Sequence, residues 1–189
     1  CYWYENHSKP MLRASTQNNY ENVIYNHVLP EIGKIPLNKL SQNDLQQFYG
    51  RLKKNGRKRL TEQYGAGLSD RMVRMCHAVC RSALERAVRD DLLRTNPAIG
   101  CKLPPKKAKE MQVLDREELQ KFLIQAQVDG YYELFLLDLC TGLRRGELIA
   151  LQWGDLNFET GVLTVIKQAY TVNGALQIIP PKTKASMRK

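Results

Sequence analysis

The sequence predicts a multi-domain chain: an all-α helical domain, a short basic connector, and the first part of an α+β domain, mainly helical with a small antiparallel sheet. Three observations predict it. Before residue 96, apolar residues recur at helical spacing in successive stretches. Between Asn96 and Lys109 stand three prolines, one glycine and four lysines, the composition of an extended, positively charged linker. After Trp153 the pattern turns strand-like, with a β-rich run from Val162 to Thr171, an Asn173-Gly174 hairpin signal and a return from Ala175 to Ile179. These features divide the chain into 1–100 (helical domain), 101–111 (linker) and 112–189 (incomplete α+β domain).

The elements follow in order. A first helix starts near Ser15-Thr16 and runs through Val23, Ile24 and His27 to a break at Pro30 and Gly33, with Trp3 and Tyr4 bracing it. A second starts at Ser41, where Ser41-x-x-Asp44 resembles a capping box ahead of Leu45, Phe48 and Leu52. The basic run Lys53-Lys54-Asn55-Gly56-Arg57-Lys58-Arg59 ends it. The third and longest helix begins after Ser69 and reaches about Leu93. At about 100° per residue, Arg71, Arg74, Arg81, Arg86 and Arg89 fall within an arc of about 140°, opposite Met72, Val73, Cys76, Val79, Cys80, Ala83, Leu84, Ala87 and Val88. One face packs and the other carries five guanidinium groups, with Glu85 and Asp70 as the nearby acids. Past the linker, Asp115-x-x-Glu118 caps a helix with Leu119, Phe122 and Leu123 inward. Another helix covers Tyr131 to Cys140, and a short one follows the Thr141-Gly142 break and runs through Trp153.

Charge is distributed unevenly. The net charge is +10 over 189 residues, 43% of them hydrophobic. From Cys1 to Met111 there are 20 Lys and Arg against 10 Asp and Glu; from Gln112 to Lys189 the counts are 9 and 9. A basic part joined to a neutral part points to a polyanionic partner, nucleic acid ahead of an anionic membrane surface. The longest apolar stretch, Leu134 to Leu137, is far too short to span a bilayer, so no membrane role is expected. Five scattered cysteines fit reduced thiols in a cytoplasmic protein. Because the chain opens on Cys1 and closes in a strand-like stretch, it is expected to be part of something longer.

Two arginines at a helix-breaking glycine are the sharpest local feature. Thr141-Gly142-Leu143-Arg144-Arg145-Gly146-Glu147-Leu148, followed by Leu151-x-Trp153-x-Asp155-Leu156, resembles the first-arginine motif of tyrosine recombinases, the phage integrase family. Asn96-Pro97 and the helix start at Leu114-Asp115 resemble that family's domain junction. His27-Val28-Leu29-Pro30-x-Ile32-Gly33 and Leu40-Ser41-x-x-Asp44-Leu45 resemble its helical core-binding domain. Pro181-Lys182-Thr183-Lys184-Ala185-Ser186-x-Arg188 resembles its β-hairpin lysine segment. Nearly the whole chain is covered, with wording nearest to integrases of conjugative transposons.

The resemblance implies a core-binding domain and the N-terminal part of a catalytic domain that together clamp double-stranded DNA. It implies attack by a tyrosine hydroxyl on a phosphodiester, giving a 3′-phosphotyrosyl bond and a free 5′-hydroxyl, with no cofactor, ATP or metal. Full-length members act as tetramers on two DNA segments, so a homo-oligomer in a bacterial cytoplasm is implied. Arg144 is then the arginine that stabilises the pentacoordinate phosphorane, since fixed cations bind that extra negative charge more tightly than the ground state. Glu147 orients Arg144. Lys182 is the better match for the general acid and Lys184 its competitor. Arg145 takes a variable position and faces solvent or a backbone phosphate. The nine tyrosines lack the context of the nucleophile, so none is assigned and this portion alone is expected to be inactive.

Phosphate contacts are expected from the five-arginine face, from Lys53, Lys54, Arg57, Lys58 and Arg59, and from Lys102, Lys106 and Lys107. Cys76-His77-x-x-Cys80 lacks a second ligand pair at zinc-finger spacing and reads as packed core, so no metal is expected. Cys140 reads as core as well. The competing assignment is a non-catalytic DNA-binding or architectural protein on the same fold. Type IB topoisomerases share the chemistry, but not this core-binding domain.

Overall fold

The computed structural model describes residues 1–105, 110–172, 174–181 and 183–189, so Lys106, Lys107 and Lys182 lie outside the described residues. The chain divides into two compact units, Cys1–Lys109 and Glu110–Lys189. The first is helical; the second is mainly helical with two two-stranded antiparallel sheets. Among the described residues no helix is long and apolar enough to cross a membrane.

The first unit opens with a π-helical turn, Tyr4–Ser8, and a 3-10 turn, Lys9–Met11. The sequence gives no periodic signal for this segment; tertiary anchoring holds it. Tyr4 is fully buried, and its hydroxyl donates to the Gln17 carbonyl (3.2 Å) and the Glu21 carboxylate (3.0 Å). Trp3 stands against Tyr20, so both residues brace the next helix as predicted. That helix is α1 (Ala14–Val23), which continues through a π turn, Ile24–Val28, into α2 (Leu29–Ile32). The expected break at Pro30 does not occur. Proline clashes with the carbonyl four residues back and cannot donate to it. Here the wider π turn, closed by the Leu29 N–H on the Ile24 carbonyl, comes just before Pro30, and the helix ends only at Gly33.

Helix α3 (Gln42–Asn55) starts at the predicted capping box: Ser41 Oγ accepts from the Asp44 N–H at 3.2 Å, and the Asp44 carboxylate accepts from the Ser41 N–H at 2.9 Å. A short helix α4 (Thr61–Tyr64) follows the basic loop, and α5 (Asp70–Arg89) is capped by Ser69. α5 stops short of the expected Leu93. Asp91 adopts a left-handed φ of 56°, and the Leu92 N–H turns back onto the Ala87 carbonyl. Leu45, Phe48 and Leu52 of α3 interlock with Val73, Cys76, Val79, Cys80 and Leu84 of α5, joined by Tyr4, Val23, Ile24 and Ile32. Burial pushes the Cys76 and Cys80 thiols up to about 12, so both remain protonated packing groups.

The connector begins docked on this unit. Gln46 donates to the Lys102 carbonyl (3.0 Å) and accepts from its N–H (2.8 Å), as a neighbouring strand would. Asn96, buried, donates to the Arg81 carbonyl and the Glu85 carboxylate and accepts from the Ala98 N–H.

In the second unit, α6 (Arg116–Val128) starts at the predicted box, Asp115 with Glu118, and packs on α7 (Tyr132–Thr141). Leu119, Leu123 and Ala126, at helical spacing, form the covered stripe. Phe122 lies one step round at the rim, exposed, and meets Phe135 edge-on at 4.8 Å, so it does not point inward as expected. Cys140 is exposed, not core: α7 is apolar nearly all round, so residue type alone could not say which side is covered. Helix α8 (Arg145–Ile149) ends before Trp153, which sits in a 3-10 turn, 82% exposed and stacked on Phe158. Strands β1 (Leu156–Asn157) and β2 (Val162–Leu163) pair, as do β3 (Gln168–Val172) and β4 (Ala175–Ile179). Val172 pairs with Ala175, and Gly174 has φ +82°, the left-handed value a tight hairpin turn requires; Asn173 lies outside the described residues.

Candidate active site and nucleic-acid interface

Gly142 starts the site. It closes α7 in the left-handed region (φ 61°), its N–H on the Asp138 carbonyl at 2.8 Å, a conformation that disfavours a side chain. The chain then extends through buried Leu143 to Arg144, the residue that caps α8. Arg144 therefore lies at the extended entry to α8, outside the helical turns on either side. Its side chain is 69% exposed.

Glu147 lies beneath it, its side chain 1% exposed. One carboxylate oxygen accepts from the Arg144 N–H (3.0 Å) and the other from Arg144 Nη1 (2.9 Å). The same two oxygens receive Arg188 Nη2 (2.8 Å) and Nη1 (3.2 Å). These bonds, that of Arg188 first, outweigh the cost of burial and hold the Glu147 carboxyl at about 2. It is therefore an anion near neutrality, unsuited to moving a proton there.

Arg188 is the residue of this cluster for which the sequence offers no local signal. It stands at the end of the 181–188 segment, and its partner lies 41 positions away, beyond any local pattern. Its backbone is bridged to Val165 in both directions (2.8 and 3.2 Å), outside the main hairpin.

Gly146 lets α8 approach β3. A Cβ there would stand 2.7 Å from the Ala169 carbonyl oxygen. The result is a cleft of about 920 Å³ lined by Arg144, Arg145, Ile149, Tyr170, Pro181 and Ser186. Arg145 is exposed and has no side-chain partner among the described residues. Lys184 opens a 3-10 turn, Lys184–Ser186. Lys167, not singled out from sequence, is held by Asp155 (2.8 Å) and Gln152 (2.6 Å). The cleft can bind an anion: apart from the bond to Glu147, the guanidinium N–H groups of Arg144 have no partner among the described residues.

In the first unit, the five arginines of α5 do lie opposite its buried face, but they are not equivalent. Arg74 donates to the Pro104 carbonyl, and Arg86 pairs with Asp90 at 2.9 Å. Arg71, Arg81 and Arg89 are exposed, with no side-chain hydrogen bond or ion pair among the described residues. Of the two acids near the stripe, Asp70 pairs with Lys53 and Glu85 accepts from Asn96, so neither makes an ion pair with those three arginines among the described residues. In the loop, Arg57 lies over the Tyr64 ring (5.4 Å), whereas Lys54, Lys58 and Arg59 are exposed, as is Lys102.

Comparison with known proteins agrees with this picture. Residues 1–53 match the family described as phage integrase, N-terminal SAM-like domain. The ICEBs1 integrase of Bacillus subtilis (strain 168) is 28% identical over 180 residues, 93% of this chain and 46% of that protein. A tyrosine recombinase XerC-like protein of Caldanaerobacter subterraneus subsp. tengcongensis is 28% identical over 195 residues, 95% of this chain and 46% of that one. The chain thus spans less than half the length of these relatives. In structure it is similar to the Tn1549 transposon integrase in complex with transposon right end DNA (TM-score 0.77, 21% identity, 99% of this chain and 57% of that one). It is also similar to a lambda integrase dimer bound to a COC′ core site (TM-score 0.66, 16% identity, 95% and 61%). In sequence and fold, the chain resembles the tyrosine recombinases of the phage integrase family along nearly its whole length.

Proposed function

We propose, from the premise that this is a tyrosine recombinase sequence of the phage integrase family, that the chain is the DNA-gripping unit and first catalytic portion of a site-specific recombinase of a mobile element. Residues 1–100 correspond in this reading to the core-binding domain, 101–111 to the linker and 112–189 to the start of the catalytic domain. The observation that carries the reading is Arg144: an exposed guanidinium, fixed by a buried carboxylate, opening on a cleft. Such a cation is suited to the non-bridging oxygens of a phosphodiester under attack, where negative charge grows on the way to the phosphorane.

The reaction is transfer of the 3′-phosphoryl group from the 5′-oxygen of the next nucleotide to a tyrosine hydroxyl. The tyrosine loses its proton, the departing 5′-oxygen gains one, and the phosphodiester linkage is kept as a phosphotyrosyl ester that the reverse reaction reseals. Lys182, with Lys184 as alternative, donates the proton to the leaving oxygen. No tyrosine of this chain is the nucleophile, so the 189 residues bind duplex DNA without cutting it. Two such chains per DNA segment, four in all, act together in the bacterial cytoplasm when full length. Arg71, Arg81 and Arg89, with Lys54, Lys58, Arg59 and the linker lysines, supply backbone phosphate contacts.

The test is duplex binding followed by fluorescence anisotropy across a salt series. Affinity falls steeply with salt, and Arg144→Ala lowers the slope by about one unit, as loss of one phosphate contact requires. A slope that Arg144→Ala leaves untouched contradicts the assignment of Arg144.

A further inference from the structure

Glu147 is positioned to quench the cation it orients. A buried carboxylate with both oxygens free would draw Arg144 into a two-bond fork, the preferred pairing of these groups. That fork would turn the guanidinium away from the cleft and cancel its charge. The observed geometry differs. Arg188 occupies both oxygens of Glu147, at 2.8 and 3.2 Å, and Arg144 makes only one side-chain bond, from Nη1. The cluster of two guanidinium groups and one carboxylate keeps a net charge of +1.

We propose that Arg188 is a positioning residue: by taking the two-bond site on Glu147, it leaves Arg144 held by one bond and free to present its remaining N–H groups to a DNA phosphate. This rests on the reading of Arg144 as a phosphate-binding group. The backbone of Arg188 supports the role, since its N–H and carbonyl are both bonded to Val165, a core residue of this unit, which fixes the point from which the side chain reaches Glu147. Arg188 bonds to the cleft at two points: to Glu147 with both Nη groups, and from Nη1 to the carbonyl of Ser186 in the cleft wall at 3.3 Å, so a double-mutant cycle is needed to isolate the route through Glu147.

The test is a double-mutant cycle on the full 189-residue chain, read as the salt slope of duplex binding. Arg144→Ala lowers the slope by about one unit in the parent. In an Arg188→Ala background the same substitution has almost no effect, because Arg144 is already folded onto Glu147. Adding Glu147→Gln to Arg188→Ala removes the quenching charge and restores part of the Arg144 effect, a rescue that damage to packing would not produce. If circular dichroism shows that Arg188→Ala does not fold, Arg188→Gln, which keeps bulk and a donor but no charge, takes its place in the cycle. An Arg144 effect of equal size in both backgrounds overturns the proposal. No Arg144 effect even in the parent overturns the phosphate reading beneath it, a distinguishable result.

Discussion

At Glu147, one negative charge meets two guanidinium groups in a setting almost closed to water. Replacing it with glutamine keeps the shape but turns one acceptor oxygen into an NH2 donor, so two of the four charge-assisted bonds are lost and the other two weakened, and the expected loss is about 2 kcal/mol of stability in the second unit, measured by urea unfolding. The pH dependence has a definite sign. The folded pKa of about 2 lies below the ordinary 4.5, so the stabilisation is complete above about 4.5 and is lost as pH falls through 2. Glu147→Gln should flatten that acid limb. Its neighbour Gly146 gives a second prediction. Gly146→Ala brings a methyl to 2.7 Å from the Ala169 carbonyl, and the strain should cost about 1–3 kcal/mol and move α8 off β3. Calorimetry reads the first effect; weaker DNA binding reads the second.

At the scale of elements, α5 carries the clearest functional prediction. Arg71→Gln, Arg81→Gln and Arg89→Gln should each lower the salt slope of binding by about one unit, and Arg86→Gln by less, because Asp90 already holds that guanidinium. The helical period placed all five arginines on one face but did not rank them: the Arg86–Asp90 pair is local, at i,i+4, and was open to reading, whereas Pro104 and the partners of Glu85 and Asp70 are set by tertiary contacts. Local chemistry was legible where it is local: the Ser41–Asp44 and Asp115–Glu118 boxes and the Gly142 turn all form as read. It failed where the deciding partner is distant or the pattern carries no period. The π turn that carries the helix past Pro30, the exposed Phe122 and Cys140 on an apolar helix pair, and the Arg188–Glu147 pair across 41 residues are such cases. The π turn also buries His27, whose Nδ1 has no hydrogen-bond partner among the described residues and whose pKa burial lowers below 6.5. The unfolded chain therefore takes up protons first, and stability of the first unit should fall as pH drops below about 6.5. A urea midpoint lower at pH 5.5 than at 7.5, with the difference reduced in His27→Gln, checks it.

For the whole molecule, the proposed function assigns a division of labour to the basic excess of the first unit and the Arg144 cleft of the second: one part would hold the duplex by its phosphates, the other would meet the phosphate to be transferred. In this account Tyr170 is a wall of the cleft and not a nucleophile, although it lines the same space as Arg144. The most direct test is covalent trapping on the 189-residue chain: incubation with a nicked duplex carrying the element's end, denaturation, and a search for DNA-linked protein. The account predicts salt-sensitive binding and no covalent band. A band that Tyr170→Phe abolishes would contradict it, placing the nucleophile within these residues and the whole reaction in the cleft described.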